Sequence, residues 1–256
     1  MKRLLTLLIF LSAPFLVCAQ TPATIQIATY IEPPFADIVD GQYVGRNIRI
    51  AKLLAKSYQK NVNFIYCPMA RCLLMLKTGQ ADMIISILKT PERSEYLDFI
   101  KPPIVEQIHP INFYTQKNSA ITINTYDDLK HLIVGSIRGS RYFERFDRDN
   151  KLEKVQFNDR KQMIQMLLKG RIDAFIAREE SILPLVDEQT YDEQFTKQAY
   201  QFSKPVYGYI AISKKSPFAK ESQLISAKIT KLLKNGDIRA AINTPVPFLS
   251  KSSGES

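Results

Sequence analysis

The chain has 256 residues, a formal charge of +10, 45% apolar residues and three cysteines. That length suits two modest domains with a good core rather than one small domain. The basic residues are scattered rather than gathered with aromatics in a patch, and no DNA- or RNA-binding motif occurs, so nucleic acid is not an expected partner.

Residues 1–19 read as an export signal: Met1-Lys2-Arg3, an apolar run from Leu4 to Val17, then Val17-Cys18-Ala19 as a small-residue cleavage site. The run is short for a membrane span. A lipoprotein would be anchored at Cys18, but Val17 is bulky for that processing, so cleavage after Ala19 is expected. It would leave about 237 residues with a charge of about +8, once Lys2 and Arg3 are gone, destined for the periplasm. Strand patterns follow at Thr24–Thr29, Val62–Cys67, Asp82–Ile87, Ile108–Thr115, Leu132–Ser136, Lys154–Phe157, Asp173–Ala177 and Tyr207–Ser213. Helical periods lie between them at Asn47–Gln59, Ala70–Lys77, Thr125–Lys130, Ser140–Asp147, Arg160–Lys169, Glu179–Asp187 and Ala219–Lys234. This alternation predicts an α/β protein with parallel pairing. Phe99, Phe113 and Phe175, with Tyr142 and Phe143, are core candidates, and the polar end of the chain, 244–256, reads as a flexible tail.

Cys67 and Cys72 have four residues between them, too many for a Cys-x-x-Cys redox pair, and His109 and His131 are too remote in sequence to complete a zinc set. No metal is expected. An oxidising compartment favours a short disulfide over two free thiols. One unit occurs twice. Leu76-Lys-Thr-Gly79-Gln-Ala-Asp82-Met-Ile-Ile85 and Leu168-Lys-Gly170-Arg-Ile-Asp173-Ala-Phe-Ile176 are each a helix end, a glycine stop and a buried strand. Glycine suits the stop because it takes the left-handed backbone cheaply. The repeat suggests two similar lobes. Thr90-Pro91-Glu92 is a helix start, with a hydroxyl cap, Pro at the first position and an acid in the first turn. Arg93 then places a cation where the helix dipole disfavours one. It is either a surface accident or half of an anion site.

Several segments, in order, resemble family 3 of the bacterial extracellular solute-binding proteins, the polar amino-acid type. They are Tyr30-Ile-Glu-Pro-Pro-Phe35, Gly41-Gln-Tyr-Val-Gly45, Gly79-Gln-Ala-Asp-Met-Ile-Ile85 with Thr90-Pro-Glu-Arg93 and Asp98-Phe99, Val134-Gly-Ser-Ile-Arg-Gly-Ser140, and Gly170-Arg-Ile-Asp-Ala174. The resemblance covers residues 24–243. It implies a two-lobed periplasmic-binding-protein type II fold with two crossover hinge segments, near Ile104–Gln107 and Ser203–Tyr207. Lobe one would comprise 20–105 plus 206–243, and lobe two 106–205. It also implies a monomer that captures a small-molecule solute and docks on the membrane subunits of an ABC transporter, with no cofactor. Arg93 matches the family arginine that grips the ligand carboxylate, a pairing that suits a planar guanidinium.

Four positions depart from the family pattern. Arg178 stands where an acid usually holds the ligand ammonium, with Glu179 one residue on. Leu88 replaces a hydroxyl, Asn47 an acid, and Glu32 an aromatic. Arg71, inside the cysteine pair at a helix start, Ser86, Ser140, which would cap a helix, and Arg141 complete the candidate ligand set. Tyr30 and Phe35 would form its apolar wall. The guanidinium groups together predict a cationic cleft for a carboxylate-bearing, acidic solute.

Enzymatic readings are weaker. Ser86-Ile-Leu-Lys89 fits Ser-x-x-Lys, but Lys77-Thr-Gly79 precedes it and Ser-Asp-Asn is absent. A dehydratase of this fold would need a cleft glutamate, Glu32 or Glu179, as its acid. A sensor that reports to a separate receptor is the other alternative.

Overall fold

The computed structural model describes residues 23–107, 109–186 and 188–245. The export signal and all but the first two residues of the expected tail lie outside them. The chain runs β1 (Thr24–Thr29), β2 (Asp37–Val39), β3 (Gln42–Val44), α1 (Arg46–Ser57), β4 (Asn61–Tyr66), α2 (Met69–Thr78), β5 (Met83–Leu88), α3 (Pro91–Ser94) and β6 (Leu97–Gln107). It continues through β7 (Ile111–Gln116), a 3₁₀ turn (Tyr126–His131), β8 (Ile133–Ile137), α4 (Glu144–Arg148), β9 (Glu153–Phe157), α5 (Arg160–Leu168) and β10 (Ala174–Arg178). Two 3₁₀ turns, α6 (Glu188–Gln194), β11 (Phe195–Phe202), β12 (Val206–Ser213), α7 (Ser222–Lys234) and α8 (Asp237–Asn243) complete it.

Two five-stranded sheets result, ordered β4-β1-β5-β12-β6 and β11-β7-β10-β8-β9. Read from opposite ends they follow one plan, three parallel strands and then two antiparallel ones. The expectation of parallel pairing holds only for the first three strands of each. The chain leaves the first sheet after Gln107 and re-enters it at Val206, and these two residues are paired. Strands that cross between sheets in opposite directions, side by side, must be antiparallel.

The repeated glycine unit has a physical basis. In the first sheet the Asp82 N–H donates to Gln26 O at 2.8 Å, and the Asp82 carboxylate accepts from Gln26 N–H at 2.8 Å. In the second, Asp173 does the same with Ile133, at 2.9 and 2.7 Å. Each aspartate fastens the start of a central strand to its parallel neighbour just after the glycine turn.

Separate apolar clusters fill the lobes, one around Ile25, Leu54, Met83 and Ile229, another around Phe113, Phe143 and Phe146. Phe113, Phe175, Tyr142 and Phe143 are buried as expected, and Phe99 is packed at a cluster margin. Sequence patterns missed β6 because Pro102 and Pro103 interrupt it. Proline is tolerated there because β6 is an edge strand. β11 is a polar edge strand with a register shift between Lys197 and Gln201, so it shows no clean alternation. The helix expected over Glu179–Asp187 is two short 3₁₀ turns, Glu179–Ser181 and Leu183–Leu185, with Pro184 inside the second.

Candidate ligand-binding site

Parallel strands expose their carboxyl ends on one side of a sheet, where α/β proteins bind ligands. Here the ends of β1 and β5 face those of β8, β9 and β10 across a cleft of about 130 Å³. Tyr30, Glu32, Phe35, Ser86, Leu88 and Arg93 line it from one lobe, and Ser140, Arg141, Tyr142, Arg160 and Arg178 from the other. The space suits a small solute rather than a peptide of several residues.

Arg93 is 5% exposed. Thr90 accepts a hydrogen bond from the Arg93 N–H at 3.2 Å, as a helix cap should. The guanidinium donates to Leu88 O at 2.7 Å and, across the cleft, to Gly139 O at 2.9 Å. These acceptors are neutral, and among the described residues no carboxylate pairs with it. Burial, reinforced by Arg141, lowers its pKa to about 10, still a cation at neutral pH. A buried cation without a counter-charge is costly, so the site favours an anion.

Gly139 is what lets the lobes meet here. Its φ is +82°, and a Cβ would lie 3.0 Å from the Ala70 backbone at the start of α2. Beside it, Ser140 lines the cleft but does not cap a helix. Its N–H donates to Ile137 O at 3.0 Å, and α4 starts at Glu144 with Phe143 in the capping position. The Asp147 carboxylate, its pKa raised by burial, instead accepts from the Tyr142 N–H. Ser86 sits at φ +61° where β5 bulges against β12, a conformation that re-aims a side chain at the cleft.

Arg178 lines the cleft and donates to His109 O. Burial lowers its pKa, against the raising effect of Glu180 and Glu32. Two predicted residues lie elsewhere. Arg71 is exposed on α2 and outside the cleft lining, because its helix turns Cys72, not Arg71, inward. Glu179 points to Lys197 at 3.0 Å and Tyr191 at 2.8 Å. Despite burial, those partners hold its carboxyl below the usual range. Cys67 and Cys72 form a disulfide at the start of α2.

Sequence reasoning missed Arg160. It opens α5, its side chain is 9% exposed, and it pairs across the cleft with Glu32. Burial opposes its charge, but Glu32 raises its pKa above the ordinary value. Its Nη1 is buried without a hydrogen-bond partner among the described residues, an omission worth about 1–3 kcal/mol where nothing satisfies it. A second cross-lobe pair, Arg46 to Glu180 at 3.1 Å, lies nearer the rim. Four guanidinium groups thus face the cleft against one lining carboxylate, Glu32. Among the described residues, no three His, Cys, Asp or Glu side chains gather as a metal site, and no helix is long and apolar enough to cross a membrane.

Two mixed sheets, crossed twice by the chain and facing each other over a charged cleft, define the two-lobed type II periplasmic-binding-protein class. The chain belongs to the bacterial extracellular solute-binding proteins, family 3, which it matches over residues 25–243. It is 30% identical over 157 residues to the ABC transporter arginine-binding protein 1 of Escherichia coli (strain K12). That match covers 57% of this chain and 58% of the relative's length. An ancestral arginine-binding protein bound to arginine superposes with a TM-score of 0.72 at 25% identity, covering 86% of this chain and 97% of that one. An amino acid ABC transporter substrate-binding protein from Streptococcus pneumoniae, bound to L-arginine, has the same fold at 23% identity and a TM-score of 0.71, covering 86% of this chain and 93% of that one.

Proposed function

We propose that this chain captures a small solute bearing a carboxylate, an amino acid or a near relative, by closing its lobes, and delivers it in the periplasm to the membrane subunits of an ABC importer. The observation that carries this reading is Arg93, a buried guanidinium at the cleft held only by neutral carbonyls. The lobes in this reading are 20–105 plus 206–243 and 106–205, hinged where the chain crosses between the sheets. Solute meets Arg93, Tyr30 and Phe35 first. Closure then brings Ser140, Arg141, Arg160 and Arg178, and contacts made only in the closed form shift the population toward it. The cationic surplus favours acidic over basic solutes. A further guanidinium, such as the one the named relatives bind, would meet like charge.

This function needs no covalent chemistry. Glu179, one candidate acid of the dehydratase alternative, is ionised and turned to Lys197, which suits neither a general acid nor an ammonium site. The test is a thermal-shift screen on protein unfolded and refolded to strip carried solute. Amino acids, dicarboxylates, small peptides and cyclic hydroxy acids make up the panel. Solute at a hundred times its Kd adds roughly 2.7 kcal/mol, a shift of several degrees. A response to acidic compounds supports the reading, and a response to basic amino acids alone contradicts its charge argument. Normal uptake with altered gene expression in a deletion strain would favour the sensor.

A further inference from the structure

Arg160 has two features that a structural salt bridge does not explain. It keeps one buried Nη1 donor without a partner while its neighbour nitrogen holds Glu32. It also stands in the cleft lining, on the lobe opposite Arg93. A guanidinium presents its donors as a planar fork, so a group that engages one edge leaves the other free for a second acceptor. Arg160 lines the cleft, and the surplus of cations there sets the chemistry of an acceptor that reaches it. Resting on the capture function above, we infer that Arg160 is the second anion anchor of the cleft, and that the solute carries two acidic groups. One carboxylate binds Arg93 on the first lobe, and the other accepts from Arg160 Nη1 on the second. Glu32 is a positioning residue that holds the guanidinium plane in place through its other nitrogen. The solute therefore bridges the lobes end to end, and its length sets how fully they close.

Calorimetric titration of refolded protein with L-glutamate, L-aspartate, succinate, glutarate, L-glutamine and L-arginine tests this. The expected result is an acid-over-amide preference, glutamate against glutamine, of at least about a hundredfold. Arg160→Met should weaken the acid by that factor and the amide by only a few-fold, which erases the preference. Glu32→Gln loosens the guanidinium plane, so it should reduce the preference, but by less than Arg160→Met does. If Arg160→Met fails to fold because the half-buried Glu32 is left unpaired, the double variant Glu32→Gln/Arg160→Met removes both charges and takes its place. A preference that survives the loss of Arg160, or failure of every acidic probe to bind at millimolar concentration, overturns the inference. Equal binding of glutamine and glutamate by the unaltered protein overturns it too, yet leaves the capture function standing. If Arg93→Ala changes no affinity, the capture function itself falls.

Discussion

Asp82 in lobe one and Asp173 in lobe two make the same pair of bonds to the neighbouring strand, and each follows the same glycine turn. The strand ends that those bonds support carry different chemistry. Lobe one offers Tyr30, Phe35, Ser86 and a single guanidinium, Arg93, whereas lobe two offers Arg141, Arg160 and Arg178. The helices that begin at the cleft are also fixed in different ways. α2 has Pro68 in its capping position, with no side-chain cap, and is held by the Cys67–Cys72 disulfide, whereas α5 is capped by Asp159, which accepts from the Gln162 N–H at 2.8 Å. One backbone plan therefore tolerates two ways of securing a helix start and two surfaces for recognition. Backbone hydrogen bonds set the frame, and the side chains at the strand ends set the charge of each cleft wall.

The sharpest way to break this comparison is to remove the lobe-one anchor. Arg93→Ala should cost about 3 kcal/mol in affinity for an acidic solute, more than a hundredfold, because a buried charge pair is lost at the centre of the cleft. Titration calorimetry measures it. Next come the helix fastenings. Replacing Cys67 and Cys72 together by alanine should lower stability by about 2 kcal/mol, near the small end for disulfides because the closed loop is short. Asp159→Ala should cost about 1 kcal/mol, the usual worth of a cap. Chemical denaturation of both variants compares a covalent fastening with a hydrogen-bonded one. The smallest effect belongs to Arg46→Ala at the rim. Its pair with Glu180 is partly exposed, so affinity should fall by less than about 1 kcal/mol, and the difference should fade as salt is added.

Much of the frame was legible because it rests on patterns that short stretches reveal. All eight expected strands appear, and Gly79 and Gly170 stop their helices where the periodicity ends. Two of the four edge strands were not legible, since β6 carries two prolines and β11 is polar, and edge position relaxes the rules that make a strand recognisable. In the cleft, Arg93 stood out as a cation in the first turn of a helix. Arg160 shows the same anomaly, directly after the capping Asp159, and that signal was available. What sequence does not convey is direction. Arg71 and Glu179 lie within a residue or two of cleft or core positions yet face outward, because a helix or 3₁₀ turn rotates neighbours away from each other.

Tyr30 and Met69 pack on apolar clusters of both lobes at once. Two cores that share side chains share a melting transition. With the lobes together, calorimetry should record one cooperative unit. With them parted, Tyr30 and Met69 belong to lobe one alone, and the two lobes should melt separately. On the proposed function, capture of a solute would then change how the chain ages as well as what it carries. If the proposed capture holds, a loaded molecule should resist proteases as a single body and an empty one should be cut one lobe at a time, which limited proteolysis would read.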